Sequence, residues 1–274
     1  MTLTPSSPRL AYTLEGEAGP PVLFIMGFGM RGAVWRPQID ALREDHRVVF
    51  YDHLGLGDSD PAPSAQTMQK MAADAERVLD ALDWPDAHVV GVSMGGMIAQ
   101  ELALAAPTRL RSLTLIATHA GGIRAALPRA EGLARFVEAN VARGPDKRVE
   151  ALKRLLYTPD FLERVDVAKL DRRITDMAGV RAPRATLAGH LRAVLRHRTR
   201  RRLPSLRVPT MVVRPGRDIL VHPRNCDVIA AAIPGARLVR FDDAGHGITF
   251  QCAEKLNGEL ANHIRAAEEA RSAR

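Results

Sequence analysis

The hexapeptide Gly91-Val92-Ser93-Met94-Gly95-Gly96 constrains this chain more than any other feature, because it joins the apolar run His88-Val89-Val90 directly to a segment of helical period. A strand that turns into a helix within one residue leaves no room for a Cβ beside the turn, which accounts for the glycines around the serine. That turn presents a hydroxyl at the strand end. Comparable short apolar runs occur at residues 22–25, 47–51, 113–116, 210–213 and 237–241, alongside 88–91 itself. Most are too apolar for a sheet with a solvated face. Helical periodicity predicts helices over residues 33–44, 68–82, 94–106, 223–232 and 248–270. The alternation predicts an α/β fold, a mostly parallel central sheet with helices on both faces.

The alternation stops between residues 120 and 203, where the pattern is helical and strongly charged. This stretch reads as an inserted helical cap subdomain, with residues 1–119 and 204–274 forming the core domain. Pro204 and Pro209 bracket the return to a strand, since proline is poorly tolerated inside helices and central strands. The formal net charge of +8 is concentrated in the same stretch. Residues 120–205 hold 20 of the 39 Lys and Arg but only 9 of the 31 Asp and Glu. The run His197-Arg198-Thr199-Arg200-Arg201-Arg202 is read first as a solvated helix face. It also offers a surface to an anionic partner or membrane, and no nucleic-acid partner is expected.

Two cysteines, Cys226 and Cys252, lie in no Cys-x-x-Cys or Cys/His cluster, so neither a disulfide framework nor a metal site is expected. No apolar stretch is long enough to span a bilayer, and residues 1–10 lack the apolar core of a secretion signal. A cytoplasmic location is expected. Nothing in the pattern specifies an oligomer.

A serine hydroxyl is a weak nucleophile at neutral pH and needs a base within reach, together with a group that fixes the base's tautomer. Asp218 follows the 210–213 strand and His246, between Gly245 and Gly247, follows the 237–241 strand. Ser93, Asp218 and His246 therefore fall at the C-terminal ends of three strands, the edge where sites assemble in open parallel sheets. Asp227, Asp242 and Asp243 are rival acids. Asp242 and Asp243 share the strand exit of His246, whereas the orienting carboxylate is expected from a neighbouring loop. For a tetrahedral intermediate, the candidate oxyanion donors are the backbone N–H groups of Met94 and of Phe28, the latter in Met26-Gly27-Phe28-Gly29 after the first strand. The glycine spacing there matches neither Gly-x-Gly-x-x-Gly nor a P-loop.

Together these residues resemble the α/β-hydrolase superfamily, in its capped esterase, lactonase and C–C-hydrolase branch, over nearly the whole chain. Tyr51-Asp52-His53-Leu54-Gly55-Leu56-Gly57-Asp58-Ser59 is similar to the family's Asp-x-Arg-Gly-x-Gly-x-Ser loop, and residues 87–96 with Gln100 and Pro107 are similar to its nucleophile strand and helix. Two positions depart from the pattern: Met26 stands where the family usually has His, and Leu54 where it has Arg. The resemblance implies a serine hydrolase that cleaves a small-molecule carboxylic ester or lactone through an acyl-enzyme and needs no cofactor. C–C hydrolase, thioesterase and cofactor-free perhydrolase are alternatives on the same triad, and a triad-retaining ligand-binding protein is a further one. His119, Phe136, Tyr157 and Phe161 are candidate substrate-pocket residues, with core packing the competing reading for the aromatics.

Overall fold

The computed structural model describes residues 1–63, 65–122, 125–178 and 182–273. Eight strands, β1 (Thr2–Leu3), β2 (Ala11–Glu15), β3 (Pro21–Ile25), β4 (Arg47–Tyr51), β5 (Ala87–Val92), β6 (Leu110–Ile116), β7 (Thr210–Pro215) and β8 (Arg237–Phe241), form one sheet in the order β1-β2-β4-β3-β5-β6-β7-β8. β1 and β2 pair antiparallel to their neighbours, and all remaining pairs are parallel. The strand order reverses at β3, so the loops leaving β3 and β5 diverge and open a crevice above the sheet. Ser93 follows β5 at that crevice.

Eleven α-helices are found among the described residues: α1 (Arg36–Leu42), α2 (Met68–Asp80), α3 (Met94–Ala105), α4 (Ala130–Val141), α5 (Pro145–Leu156), α6 (Pro159–Leu162), α7 (Val167–Ala178), α8 (Arg184–Arg196), α9 (Arg224–Ala232), α10 (Ile248–Gln251) and α11 (Ala253–Ser272). Side chains alternate across a strand, so each central strand fills two cores. Leu23 and Ile25 of β3 pack with Met71, Val78 and Ile98 of α2 and α3. Val22 and Phe24 pack on the opposite face with Ile39, Leu256 and Leu260 of α1 and α11. Five helices, α4 to α8, lie between β6 and β7. Of these, α4, α5 and α7 share a smaller core of Ala139, Leu152, Leu155, Tyr157, Leu170 and Ile174, with Phe161 and Leu162 of α6 packed against it, whereas Ala193 of α8 joins the core of α2 and α3. Residues 123–124 and 179–181 of the expected 120–203 insertion lie outside the described residues.

All six expected strands are present as β3 to β8. Two features escaped the sequence pattern. β1 and β2 sit at the antiparallel edge, where one side needs no apolar cover and β2 carries Thr13 and Glu15. The expected helix over 248–270 is broken at Cys252, whose φ of −127° and ψ of 37° leave the helical region. Just before the break, the Gln251 amide donates to the Asp243 carbonyl and to Thr158 Oγ1, each at 2.9 Å, and its oxygen accepts from Gly245 N–H at 3.0 Å. Gln251 thereby ties together the loop that carries His246.

The basic run is partly structural. Arg202 donates to both carboxylate oxygens of the buried Glu101 at 2.8 Å. Thr199 donates to Gln100 Oε1 at 2.5 Å. Both partners belong to α3, so the end of the inserted segment is pinned to the helix that follows Ser93. No helix among the described residues is long and apolar enough to cross a membrane.

Candidate active site

Ser93 occupies the turn between β5 and α3 with φ 55° and ψ −120°, a conformation that L-residues rarely adopt and that costs on the order of 1–3 kcal/mol. The surroundings enforce it. A Cβ on Gly91 would run into the Gly95 carbonyl, and one on Gly95 into the Ile25 carbonyl, so only glycine lets α3 start so close to β3 and β5. Ser93 N–H donates to Ile116 O at 2.9 Å, and Thr118 Oγ1–H donates to the Ser93 carbonyl at 2.7 Å. No local motif in the sequence marks Thr118 for this role. These bonds fix the turn's backbone and leave the side chain half-buried at the crevice.

Asp218 is completely buried in the turn after β7. Its Oδ1 accepts from the N–H groups of Leu220 and Val221, both at 2.8 Å, and Oδ2 accepts from His246 Nδ1 at 2.7 Å. A carboxylate can only accept here, so Nδ1 is the donor, and Nε2 is the nitrogen that can act as the ring's acceptor. The rival acids stand elsewhere: Asp227 and Asp242 both pair with Arg214, and Asp243 is exposed. The glycines beside His246 meet a steric demand from the inserted helices. A Cβ on Gly247 would lie 2.5 Å from the Tyr157 ring and one on Gly245 2.7 Å from the Leu156 carbonyl, to which Gly247 N–H donates at 2.6 Å.

Ser93 and His246 line one cavity with Phe28, Phe136 and Tyr157. Its walls are mainly apolar, from Met26, Val34, Leu152 and Leu187 among others, with Asn140, Arg148 and Thr249 adding polar groups. Two of the four expected pocket residues, His119 and Phe161, fall outside this lining. The Nδ1 of His119 accepts from Gly121 N–H at 3.0 Å and its ring stands 6.1 Å from that of His197. Phe161 packs behind the wall, against Tyr157 and Phe250 at ring distances of 5.3 and 6.1 Å. Both follow from direction: proximity of a residue to the right segment does not say which face its side chain takes.

The loop after β3 passes over Ser93, since a Cβ on Gly27 would lie 3.2 Å from Ser93 Cβ. Met94 is the first residue of α3, where a helix has no internal acceptor for its N–H. The loop's support comes from a residue whose role no sequence motif marks. His53 Nε2–H donates to the Met26 carbonyl at 2.8 Å, and burial holds this imidazole below its ordinary pKa. Asp52, also buried, accepts from Gly32 N–H at 2.7 Å and pairs with Arg31. A histidine beside Leu54 thus braces the carbonyl of Met26, the residue that stands where the family usually has His. Among the described residues no group of three or more His, Cys, Asp and Glu is placed to hold a metal ion.

With this geometry in place, residues 20–251 match the family model for the alpha/beta hydrolase fold. The chain belongs to the α/β-hydrolase fold family. Among members of that family, a protein of Azorhizobium caulinodans named "Putative carbamate hydrolase RutD" is 36% identical over 92% of this chain and 93% of its own. A hydrolase from Pseudomonas aeruginosa PA01 superposes with a TM-score of 0.81 at 30% identity, covering 96% of this chain and 97% of that one. The enol-lactonase from Burkholderia xenovorans LB400 gives a TM-score of 0.79 at 25% identity, with 94% and 96% covered. The matched region thus covers nearly the full length of all three.

Proposed function

We propose that the protein is a serine hydrolase that cleaves a carboxylic ester or lactone through an acyl-enzyme on Ser93, with residues 120–203 as the cap over the cavity. The observation that carries this reading is the Asp218–His246 hydrogen bond, which leaves His246 Nε2 as the ring's acceptor in the cavity that Ser93 lines. His246 takes the Ser93 proton as Oγ attacks the carbonyl carbon. The resulting oxyanion is met by the N–H groups of Phe28 and Met94, each donor of this kind being worth about 3 kcal/mol. His246 then returns the proton to the leaving oxygen. A water deprotonated by His246 attacks the acyl carbon, the bond to Oγ breaks, and His246 returns the proton to Oγ, which restores Ser93 and the neutral imidazole and releases the acid. Each proton passes between water, the triad and the leaving group, and no electron transfer occurs, so the scheme calls for no cofactor.

The similarity to an enol-lactonase supports the lactone half of the reading. A carbamate is a second reading, favoured by the relative at 36% identity; attack by Ser93 on its carbonyl uses the same groups. The test is steady-state hydrolysis of a p-nitrophenyl ester series from acetate to palmitate, an alkyl lactone and an aryl carbamate, with Ser93→Ala beside each. Ester or lactone turnover that vanishes in the variant supports the proposal. Turnover of the carbamate alone selects the second reading, and ester turnover that survives Ser93→Ala overturns both.

A further inference from the structure

The helices between β6 and β7 expose apolar side chains that their own packing does not use. α4 lines the cavity with Phe136, Ala139 and Asn140, yet on its outer side Leu133, Val137 and Val141 are 57%, 50% and 64% exposed. Exposed Ala130 and Ala134 complete an i, i+3, i+4, i+7 series, so the stripe runs the length of the helix. α8 repeats the arrangement: Leu187 lines the cavity while Leu191 and Leu195 are 39% and 72% exposed. The two helices flank Phe28, whose ring lies 5.3 Å from Phe136 of α4 and 5.9 Å from His190 of α8.

Charge distinguishes what such a face fits. α8 carries Arg184, Arg192 and Arg196 and no acid, and the exposed Arg198 and Arg201 follow it. α4 carries two acids, Glu138, paired with Arg135 and Arg154, and Glu131, exposed in its first turn, so the basic character of this face comes from α8. Basic side chains interleaved with exposed leucines suit a helix lying in a lipid interface, its apolar side among the headgroups and acyl boundary. A second copy seated on the same patch would oppose like to like across a twofold axis and bring the α8 cations of both together.

We propose that this face of α4 and α8 docks on an anionic lipid surface, setting the cavity wall formed by the same two helices against the bilayer. The apolar stripes enter the interface and the exposed Arg184 and Arg196 of α8 meet lipid phosphates. An apolar substrate then reaches Ser93 from the lipid side. Docking is read without turnover, so its failure is separate from failure of the proposed reaction.

The test is flotation of the intact protein with vesicles of phosphatidylcholine alone and of equal parts phosphatidylcholine and phosphatidylglycerol. Association with the anionic vesicles, little with the neutral ones, and release by added salt are expected. Arg184→Gln and Arg196→Gln should each weaken partitioning about fivefold, and Leu133→Glu with Leu195→Glu about tenfold or more. These positions are exposed, so unchanged thermal midpoints should show that each variant stays folded. Absence of binding to anionic vesicles at low salt, equal binding to neutral vesicles, or wild-type binding by the variants overturns the proposal. So does a dimer in light scattering that Leu133→Glu dissociates, since the face is then covered by a second copy.

Discussion

His246 Nδ1 and Asp218 Oδ2 are joined at 2.7 Å, with the carboxylate wholly buried and its other oxygen held by two backbone N–H groups. The carboxylate is therefore fixed before it orients the imidazole. Asp218→Asn keeps the side-chain shape but no longer dictates which ring nitrogen is protonated. Ester hydrolysis should fall by about three to four orders of magnitude in kcat, with KM little changed. Stopped-flow or steady-state kinetics on the most active ester checks this, and a loss confined to KM would contradict it.

His53 braces the Met26 carbonyl beside the loop that supplies the Phe28 N–H. His53→Leu leaves that buried carbonyl without its donor, a cost of about 1–3 kcal/mol. Denaturant midpoints should fall accordingly. Because the loop is also proposed to hold the oxyanion, kcat should drop more than KM rises; unchanged kcat would place His53 in stability alone.

At Gly95 a methyl group would meet the Ile25 carbonyl, which is locked in the sheet and cannot move aside. Gly95→Ala should destabilise the fold by at least about 3 kcal/mol or prevent soluble expression. Gly258→Ala on α11, where an added Cβ meets nothing within 4 Å, is the control and should be neutral or slightly stabilising. Thermal midpoints of the pair decide whether the close approach of α3 to β3 is as tight as described.

These cases show what a linear pattern can and cannot carry. The apolar runs of β3 to β7 were legible because these central strands are almost wholly buried on both faces, and β8, at the sheet's other edge, because exposed Arg240 falls between buried Val239 and Phe241. The strand-end positions of Ser93, Asp218 and His246 were legible because each follows such a run, beside glycines or turn residues. β2 was not, since an edge strand tolerates Thr13 and Glu15. The pairing of His53 with Met26 joins residues 27 positions apart across two loops and leaves no local signature. For His119 and Phe161, the sequence located the right segments but not the direction of the side chains.

Buried histidines make stability depend on pH. Burial, with His53 adding to it, pushes His190 down to about 3, and burial pushes His263 and His119 down to about 4. In the unfolded chain each titrates near its ordinary value of about 6.5. Above that value both states are neutral and no proton-linked difference exists. Below it the unfolded state binds protons that the folded state refuses, so stability falls with falling pH until the folded pKa values are reached. The slope is about 1.4 kcal/mol per pH unit for each such histidine. Neither ring nitrogen of His190 has a hydrogen-bond partner among the described residues, so His190→Met should flatten the dependence by one histidine's share. Urea midpoints at about pH 7 and about pH 5 measure it; identical slopes would contradict the burial of a neutral ring.

The central claim is that Ser93 is the nucleophile and that His246 activates it. Intact-mass spectrometry after treatment with a fluorophosphonate, followed by peptide mapping, tests this whatever the natural substrate is. The account predicts one phosphonyl adduct on the peptide containing Ser93, none with Ser93→Ala, and labelling slowed by at least about a hundredfold with His246→Ala. An adduct on another residue, or labelling of Ser93 at an undiminished rate without His246, would contradict it.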